Sequence, residues 1–247
     1  MKQNNYQGNF LSLLFIVLVY FFTRNYYSPF FWTILGLFLL LVFLKEENRL
    51  FAWVVISFFG GNFIVVYLDK FIAGIVADPF YRVIINQILF IIPILSMWYV
   101  IKQFNKRLSF FLKKPKSFSI LYLVLLFIVA GFLFLFFRKD GFAVFLSIFT
   151  FSLIHATAQE VIWRGILLTQ MIKITSETTA ILFTGIAFSV NTTIFGFSPA
   201  VLLTYLIAGL IFGFLTTKYK SILPVILVHT VVLLFSSLNG WIQLPIL

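Results

Sequence analysis

The sequence contains no cysteine, and this absence excludes disulfide bonds, thiolate catalysis and cysteine-ligated zinc. Charge is scarce as well, because only 10% of the 247 residues are charged, whereas a soluble domain carries about 25%. Acidic residues are the rarest charged type, at 7 against 18 lysines and arginines. The chain therefore lacks the polar surface of a soluble protein, and we expect no separate soluble domain along it.

Apolar residues are abundant instead: they make up 62% of the chain and form long runs between short charged patches. About 20 such residues make a helix that crosses the hydrocarbon core, and the runs lack the alternation of a transmembrane β-barrel. We predict an all-α fold, a polytopic transmembrane helical bundle with about 8–9 spans. The predicted spans are 9–23, 28–44, 50–68, 83–101, 118–137, 142–163 (helical to about residue 171), 178–197, 199–217 and 222–239.

Two further expectations concern the ends of these runs. The segment Phe71 to Ala77 is too short to cross, and we expect it to lie at the membrane interface. The sixth helix is too long for a hydrocarbon core of ~30 Å, so it must tilt, break or protrude.

The distribution of basic residues predicts the orientation of the chain. Six of them lie in the loop 102–117, which contains no acidic residue: Lys102, Lys106, Arg107, Lys113, Lys114 and Lys116. By the positive-inside rule this loop is cytoplasmic, which places the N-terminus inside and the C-terminus outside. We predict a multi-pass protein of the cell membrane whose net charge of +11 faces anionic lipid rather than nucleic acid.

Polar residues divide the chain into two predicted parts, 1–140 and 141–247. The first part is almost purely apolar within its spans, whereas the second carries polar residues inside them. These residues are His155, Gln159, Glu160, Arg164, Asn191, Thr192, Thr193 and His229. Ionisable groups at membrane depth are costly unless they are paired or wetted, so each is a functional candidate.

Helical spacing groups several of these residues. Glu160 and Arg164 are four residues apart, hence on one face of a helix, where they can neutralise each other. A rise of about 1.5 Å per residue places Glu160, Thr192 and His229 at similar depths near the midplane. We expect the side chains of these three residues and of Arg164 to converge in one polar chamber. The alternative is a buried pair that only holds helices together, with His155 as a packing residue.

Gly209 and Gly213 form a small-xxx-small pair in the eighth predicted span. Such a pair allows two helix backbones to approach closely. We therefore predict a packing role for both glycines.

Three motifs within about 142–239 resemble those of the CAAX protease and bacteriocin-processing family, also called CPBP or Abi. The run Gln159-Glu160-Val161-Ile162-Trp163-Arg164-Gly165 resembles its Glu-Glu-x-x-x-Arg motif. Phe188 to Thr192 stands where the family has Phe-x-x-x-His, and His229 to Leu233 stands where it has His-x-x-x-Asn. The resemblance identifies the chain with a branch of the family whose motifs are degenerate.

The resemblance implies an intramembrane protease in which the first Glu and the first His activate a water, with or without a metal. In this chain those positions hold Gln159 and Thr192, and the final Asn is Leu233. An amide and a hydroxyl cannot replace a carboxylate and an imidazole as bases, and they are poor ligands for zinc. We therefore expect no metal and no cofactor, and we disfavour ordinary peptide hydrolysis.

Three functions remain open at this point. The first is acyl transfer on a lipidated protein, as in the lipoprotein N-acylation in which one branch of the family takes part. In this reading the catalytic residues are Glu160, His229 as general base and Arg164 as an anion partner; the substrate-binding residues are Gln159, Asn191, Thr192 and His155. The second is a non-catalytic scaffold that binds a membrane-protein partner in cell-envelope maintenance. The third is an active protease in which His155 replaces the lost His.

Overall fold

The computed structural model describes residues 6–106, 124, 126–131, 141–191 and 198–238. Regular secondary structure within these residues is entirely helical. The helices are α1 (Tyr6–Asn25), α2 (Pro29–Phe43), α3 (Arg49–Ala73), α4 (Pro79–Leu89), α5 (Ile91–Gln103), α6 (Gly141–Glu160), α7 (Leu168–Ile174), α8 (Glu177–Asn191), α9 (Pro199–Tyr219) and α10 (Leu223–Leu238). A 3₁₀ turn, Glu46–Asn48, precedes α3, and a π-helical segment, Val161–Leu167, joins α6 to α7.

Several helices start at a proline that follows a capping side chain. Ser28 and Asp78 accept hydrogen bonds from backbone N–H groups in the first turns of α2 and α4, and Ser198 does the same for α9. Proline at the first helical position costs no hydrogen bond, because that N–H has no partner within the helix. These local signals fix where the three helices begin.

Within the part of the chain that the structure describes, five stretches are long and apolar enough to cross a membrane. They are Tyr6–Asn25, Glu46–Ala73, Pro79–Gln103, Gly141–Ile174 and Pro199–Tyr219. Two shorter apolar helices, α2 and α10, accompany them. The chain is thus an all-α, multi-pass membrane protein, as predicted. The predicted span 118–137 lies mostly outside the described residues, as does the end of the predicted span 178–197.

Two predicted segments have helix boundaries of their own in the structure. The segment Phe71 to Ala77 begins inside α3, which continues to Ala73 and is capped by Gly74, and its place at the membrane interface stays a prediction. The predicted fourth span, 83–101, lies within the single apolar stretch Pro79–Gln103, whose helix is interrupted at Phe90, between α4 and α5. The reason is Pro93, which lacks an N–H group and whose ring crowds the carbonyl four residues earlier, at Leu89.

The long helix Gly141–Ile174 does not break, but its middle is wound as a π-helix from Val161 to Leu167. A π-helical segment adds residues to a turn and so changes which side chains share a face. All seven residues of this segment are buried. Because the segment starts directly after Glu160 and contains Arg164, it determines the setting of the candidate site.

The two predicted parts of the chain share one aromatic core around Trp163, which is fully buried. Its ring lies 6.5 Å from that of Phe15 in α1 and 5.7 Å from that of Phe58 in α3, measured between centroids. On the other side, Phe188 of α8 lies 5.8 Å away. The N-terminal helices therefore cover the back of the segment that carries the polar residues.

The helices α8 and α9 pack at very short range where both have glycine. A methyl group added at Gly209 would lie 2.9 Å from the Cα atom of Gly185, and one added at Gly213 would lie 3.0 Å from the side chain of Ile181. The predicted packing role of Gly209 and Gly213 is thereby confirmed.

Candidate functional site

Glu160 and His229 form a direct contact at the centre of the polar cluster. Oε1 of Glu160 lies 2.7 Å from Nδ1 of His229, although the two residues are 69 positions apart in the chain. Glu160 is the last residue of α6, and His229 lies in α10. Both are buried, with exposed fractions of 0% and 2%. The contact joins the two helices that carry the first and third family motifs.

Arg164 neutralises the Glu160 carboxylate from the opposite side. Its Nε atom lies 3.3 Å from Oε2 of Glu160, and its Nη1 donates a hydrogen bond of 3.4 Å to Oε1. The remaining nitrogen, Nη2, donates to the backbone carbonyl of Gly209 at 3.2 Å. The guanidinium carbon also lies 4.2 Å from the ring centroid of Phe188 and 5.4 Å from that of Phe212. Arg164 thus links the π-helical segment to α8 and α9.

The carboxylate favours one protonation state of the imidazole. An ionised carboxylate only accepts hydrogen bonds, so Glu160 favours a proton on Nδ1 of His229 and leaves Nε2 as a proton acceptor. Aromatic rings enclose this imidazole: Phe212 lies 5.0 Å away, Phe188 6.1 Å and His155 6.0 Å, between centroids. Glu160 thus holds the imidazole of His229 in one orientation within an apolar enclosure, an arrangement in which Nε2 can accept a proton.

A second histidine is held beside the first by a residue that sequence reasoning missed. Nδ1 of His155 lies 2.8 Å from Oε1 of Gln87, which belongs to α4 and is only 3% exposed. The ring of His155 also stacks on Phe151. Gln87 could have been found, because it follows Asn86 in a mostly apolar predicted span, and buried amides at membrane depth need a partner.

The remaining predicted site residues are arranged differently from one another. Oε1 of Gln159 accepts a 3.0 Å hydrogen bond from the indole N–H of Trp163. Gln159 thus orients the tryptophan at the centre of the aromatic core. Asn191 is half-buried at the end of α8. Thr192 lies outside the described residues, so its predicted place in the chamber stays a prediction. The structure therefore brings together Glu160, Arg164 and His229, with His155 adjacent.

The donor set does not fit the metal that the resemblance allows. A catalytic zinc takes three protein ligands and keeps a fourth position open. Here Glu160 and His229 are bonded directly to each other, and the other carboxylate oxygen is paired with Arg164. The position of the final family Asn is the apolar, buried Leu233. Among the described residues, no three of the usual ligand types cluster at a distance suited to a metal.

Comparison with known proteins places this cluster within a recognised family segment. Residues 141–235 match the family described as type II CAAX prenyl endopeptidase Rce1-like. The match covers α6, the π-helical segment and most of α10, and hence Glu160, Arg164 and His229. No curated protein and no solved structure matches the chain. The resemblance to CAAX proteases is confirmed for this part of the chain.

Proposed function

We propose that this membrane protein, which is related to CAAX proteases over residues 141–235, transfers an acyl group to the amine of a lipidated protein, as in lipoprotein N-acylation. The observation that supports this best is the 2.7 Å contact between Glu160 and Nδ1 of His229. It leaves Nε2 of the same ring to act as a general base. We place the protein in the cell membrane with its N-terminus in the cytoplasm.

The proposed reaction needs no nucleophilic residue of the protein. The substrate amine attacks the carbonyl carbon of an acyl ester, and Nε2 of His229 takes the proton that the amine loses. The ester C–O bond then breaks, an amide forms, and the same proton passes to the leaving alkoxide oxygen. Glu160 stabilises the imidazolium that exists between the two proton transfers, as the carboxylate of a catalytic triad does.

Arg164 also has a positioning role in this mechanism, and its expected role as an anion partner stays a prediction. Its guanidinium nitrogens contact Glu160 and the backbone carbonyl of Gly209. Held in this way, Arg164 orients the Glu160 carboxylate within an apolar interior. Its substitution is therefore expected to act on His229 indirectly.

The substrate class is proposed from the setting of the site. Glu160 and Arg164 lie in the stretch Gly141–Ile174, which is long enough to span a membrane, and His229 lies in the shorter apolar helix α10. A substrate that reaches this cluster therefore needs a lipid-embedded part. The matched family is described as a prenyl endopeptidase, a name that refers to lipid-modified proteins. A protein with a lipidated N-terminal residue and a free amine meets both conditions.

A non-catalytic scaffold is the second candidate, and the burial of Arg164 favours it. The side chains of Arg164 and Glu160 are exposed by only 1% and 0%, and their contacts tie together α8, α9 and α10. Under this alternative the cluster only preserves the fold, and the protein acts by binding a membrane-protein partner.

The variant His229→Asn separates the two candidates. The asparagine amide reaches the position of Nδ1 and can still donate to Glu160, but nothing replaces Nε2. For an enzyme we expect N-acylation to fall by about 100-fold or more, as is typical when a general base is removed. The measurement is mass spectrometry of lipoprotein N-termini in cells whose only copy is the variant, with membrane abundance determined in parallel.

Thr230→Val serves as the matched control. Thr230 is the next residue of the same helix, it is buried, and its hydroxyl donates only to the carbonyl of Ile226, at 2.8 Å. We expect this variant to accumulate and to function normally. If His229→Asn is as active as Thr230→Val, the acyl-transfer proposal is wrong and the scaffold remains.

A further inference from the structure

A second polar region lies near the C-terminal end of the long helix Gly141–Ile174, which also carries Glu160. Lys173 follows Glu160 by 13 residues, which corresponds to roughly 20 Å along the helix axis. A cavity of about 380 Å³ opens there between the 3₁₀ turn, the end of α5 and α7. Its polar lining consists of Glu46, Glu47, Lys106, Gln170 and Lys173. The cavity is separate from the Glu160 cluster and does not depend on the proposed function.

The polar groups of this cavity leave hydrogen-bonding capacity unused. Lys173 donates from Nζ to Oε1 of Gln170 at 2.9 Å. Gln170 is 99% buried, given its exposed fraction of 1%, and its Nε2 finds no hydrogen-bond partner among the described residues. Buried amide N–H groups nearly always have an acceptor. Gln170, which lines the cavity, therefore has amide donors without an acceptor among the described residues.

The charges of the cavity also remain apart from each other. Glu46 is paired with Arg49 at 3.1 Å. Within the described part of the chain, neither Lys106 nor Lys173 forms an ion pair with the two glutamates of the cavity. A cavity lined by two lysines and by Glu47, in addition to the paired Glu46, matches a ligand that carries charges of both signs.

We infer that this cavity binds the headgroup of a zwitterionic glycerophospholipid. The phosphodiester would lie against Lys106, Lys173 and the amide of Gln170, and the ammonium group against Glu47. Leu50, Phe51 and Phe104 provide an apolar wall for the first part of the acyl chains. The volume falls within the range of small-ligand sites, about 300–1,000 Å³. Basic pockets between membrane helices bind lipid headgroups by the same chemistry.

Lipid retention by the purified full-length chain tests this inference. The protein in detergent is incubated with phosphatidylethanolamine, phosphatidylglycerol or diacylglycerol of identical acyl chains, and bound lipid is counted by native mass spectrometry. We expect phosphatidylethanolamine to be retained best and diacylglycerol least. The double variant Lys106→Gln with Lys173→Gln should weaken retention of phosphatidylethanolamine about tenfold, the change that 1.4 kcal/mol produces.

Two further variants make the assignment specific. Glu47→Gln should weaken retention of phosphatidylethanolamine and leave phosphatidylglycerol unchanged, because only the former has an ammonium group. Lys102→Gln is the matched control: Lys102 is a lysine at the same end of α5, but it lies over the ring of Trp98, 5.2 Å from its centroid, and does not line the cavity. It should retain lipid as the unaltered protein does.

Three results would overturn the inference. Equal retention by the double-lysine variant and by Lys102→Gln would show that the cavity is not the binding site. If Glu47→Gln weakened the retention of phosphatidylethanolamine and phosphatidylglycerol equally, Glu47 would not recognise an ammonium group, and the ligand would not be a zwitterionic lipid. Displacement of the lipid by inorganic phosphate at equal concentration would assign the cavity to a soluble phosphate ligand.

Discussion

Glu160 has two partners, but only its Oε1 atom forms hydrogen bonds, whereas Oε2 has an ion-pair contact and no hydrogen bond among the described residues. One oxygen faces His229 and Arg164, and the other faces the Nε atom of Arg164. A buried charge of this kind is tolerated only because its partners compensate for the loss of water. The same three side chains therefore contribute to folding stability and to the proposed reaction, and the variants below are chosen to measure the two effects separately.

Single substitution of Glu160 is expected to be more damaging than a double substitution. Glu160→Gln leaves the guanidinium of Arg164 buried without a counter-charge, which costs about 3–5 kcal/mol. Glu160→Leu combined with Arg164→Met removes both charges and should restore accumulation in the membrane, since such replacements are often neutral. Protein abundance and thermal unfolding in detergent measure this difference.

The activity of the same double variant tests whether the Glu160–Arg164 pair takes part in the proposed reaction. We expect it to accumulate and yet to lose N-acylation, because His229 no longer has the acceptor that orients its ring. Full activity in cells that contain only the double variant would show that the charged pair is structural. Failure of the double variant to accumulate better than Glu160→Gln would contradict the stability argument instead.

The π-helical segment contains adjacent residues that lie in different surroundings, one in the aromatic core and the next in the polar cluster. Every residue from Ala158 to Met171 is buried, and this stretch contains the whole π-helical segment, Val161 to Leu167. Trp163 points to the aromatic core, whereas Arg164, the next residue, reaches Glu160 and Gly209. Such segments are frequent at functional sites, and this one joins the fold to the polar cluster.

The close contact between α8 and α9 predicts an effect of side-chain size. Gly209→Val should lower the free energy of unfolding by about 1–3 kcal/mol, as overpacking typically does, because even its Cβ atom would lie 2.9 Å from Gly185 Cα. It should also disturb Arg164, which bonds to the carbonyl of Gly209. The shift in unfolding temperature in detergent measures the effect.

Gly36→Ala is the control for this experiment. Gly36 lies within α2, and a methyl group added there would meet no atom within 4 Å. Because alanine favours a helix over glycine by about 1 kcal/mol, this variant should be as stable as the unaltered protein or more so. If the two variants unfolded at the same temperature, the contact at Gly185 would have no importance for stability.

At the scale of the whole molecule, the segment that matches the family depends on helices outside it. Phe15 of α1 and Phe58 of α3 cover Trp163, and Gln87 of α4 holds His155. A methyl group on Gly8 would overlap the backbone of Ile174, so α1 also lies directly against the end of α7. The N-terminal helices thus complete the setting of the site.

A fragment of residues 141–247 should therefore fail to accumulate in the membrane on its own. Its aromatic core would lose Phe15 and Phe58 as partners of Trp163, and such core losses cost about 3–5 kcal/mol for one large aromatic residue. Co-expression with residues 1–140 should restore it, measured as membrane abundance of the tagged fragment. A fragment that is abundant and active alone would show that residues 141–247 form an independent domain.

The orientation of the chain is a further prediction at this scale. The six basic residues of the loop 102–117 predict that this loop is cytoplasmic and that the C-terminus is outside. A reporter fused after Leu247 should be active only on the external side, and one inserted within the loop only on the internal side. A cytoplasmic C-terminus would contradict the assignment for the entire chain.

The sequence by itself determined the properties that depend on composition and on neighbours within a helical turn. Hydropathy predicted the all-α membrane fold, because only helices with internally satisfied backbones suit long apolar runs. The spacing of four residues predicted that Glu160 and Arg164 would pair, and the motif order predicted the family segment 141–235.

Only the tertiary structure decided what depends on how each helix is rotated about its axis. Glu160 meets His229 across 69 residues, and Gln87 meets His155 across 68. Apolar runs specify that a helix is buried in the bilayer but not which of its faces meets another helix, because lipid and protein are similarly apolar. Packing at Gly185, Gly209 and Trp163 makes that choice, and it turns three separate polar residues into one cluster.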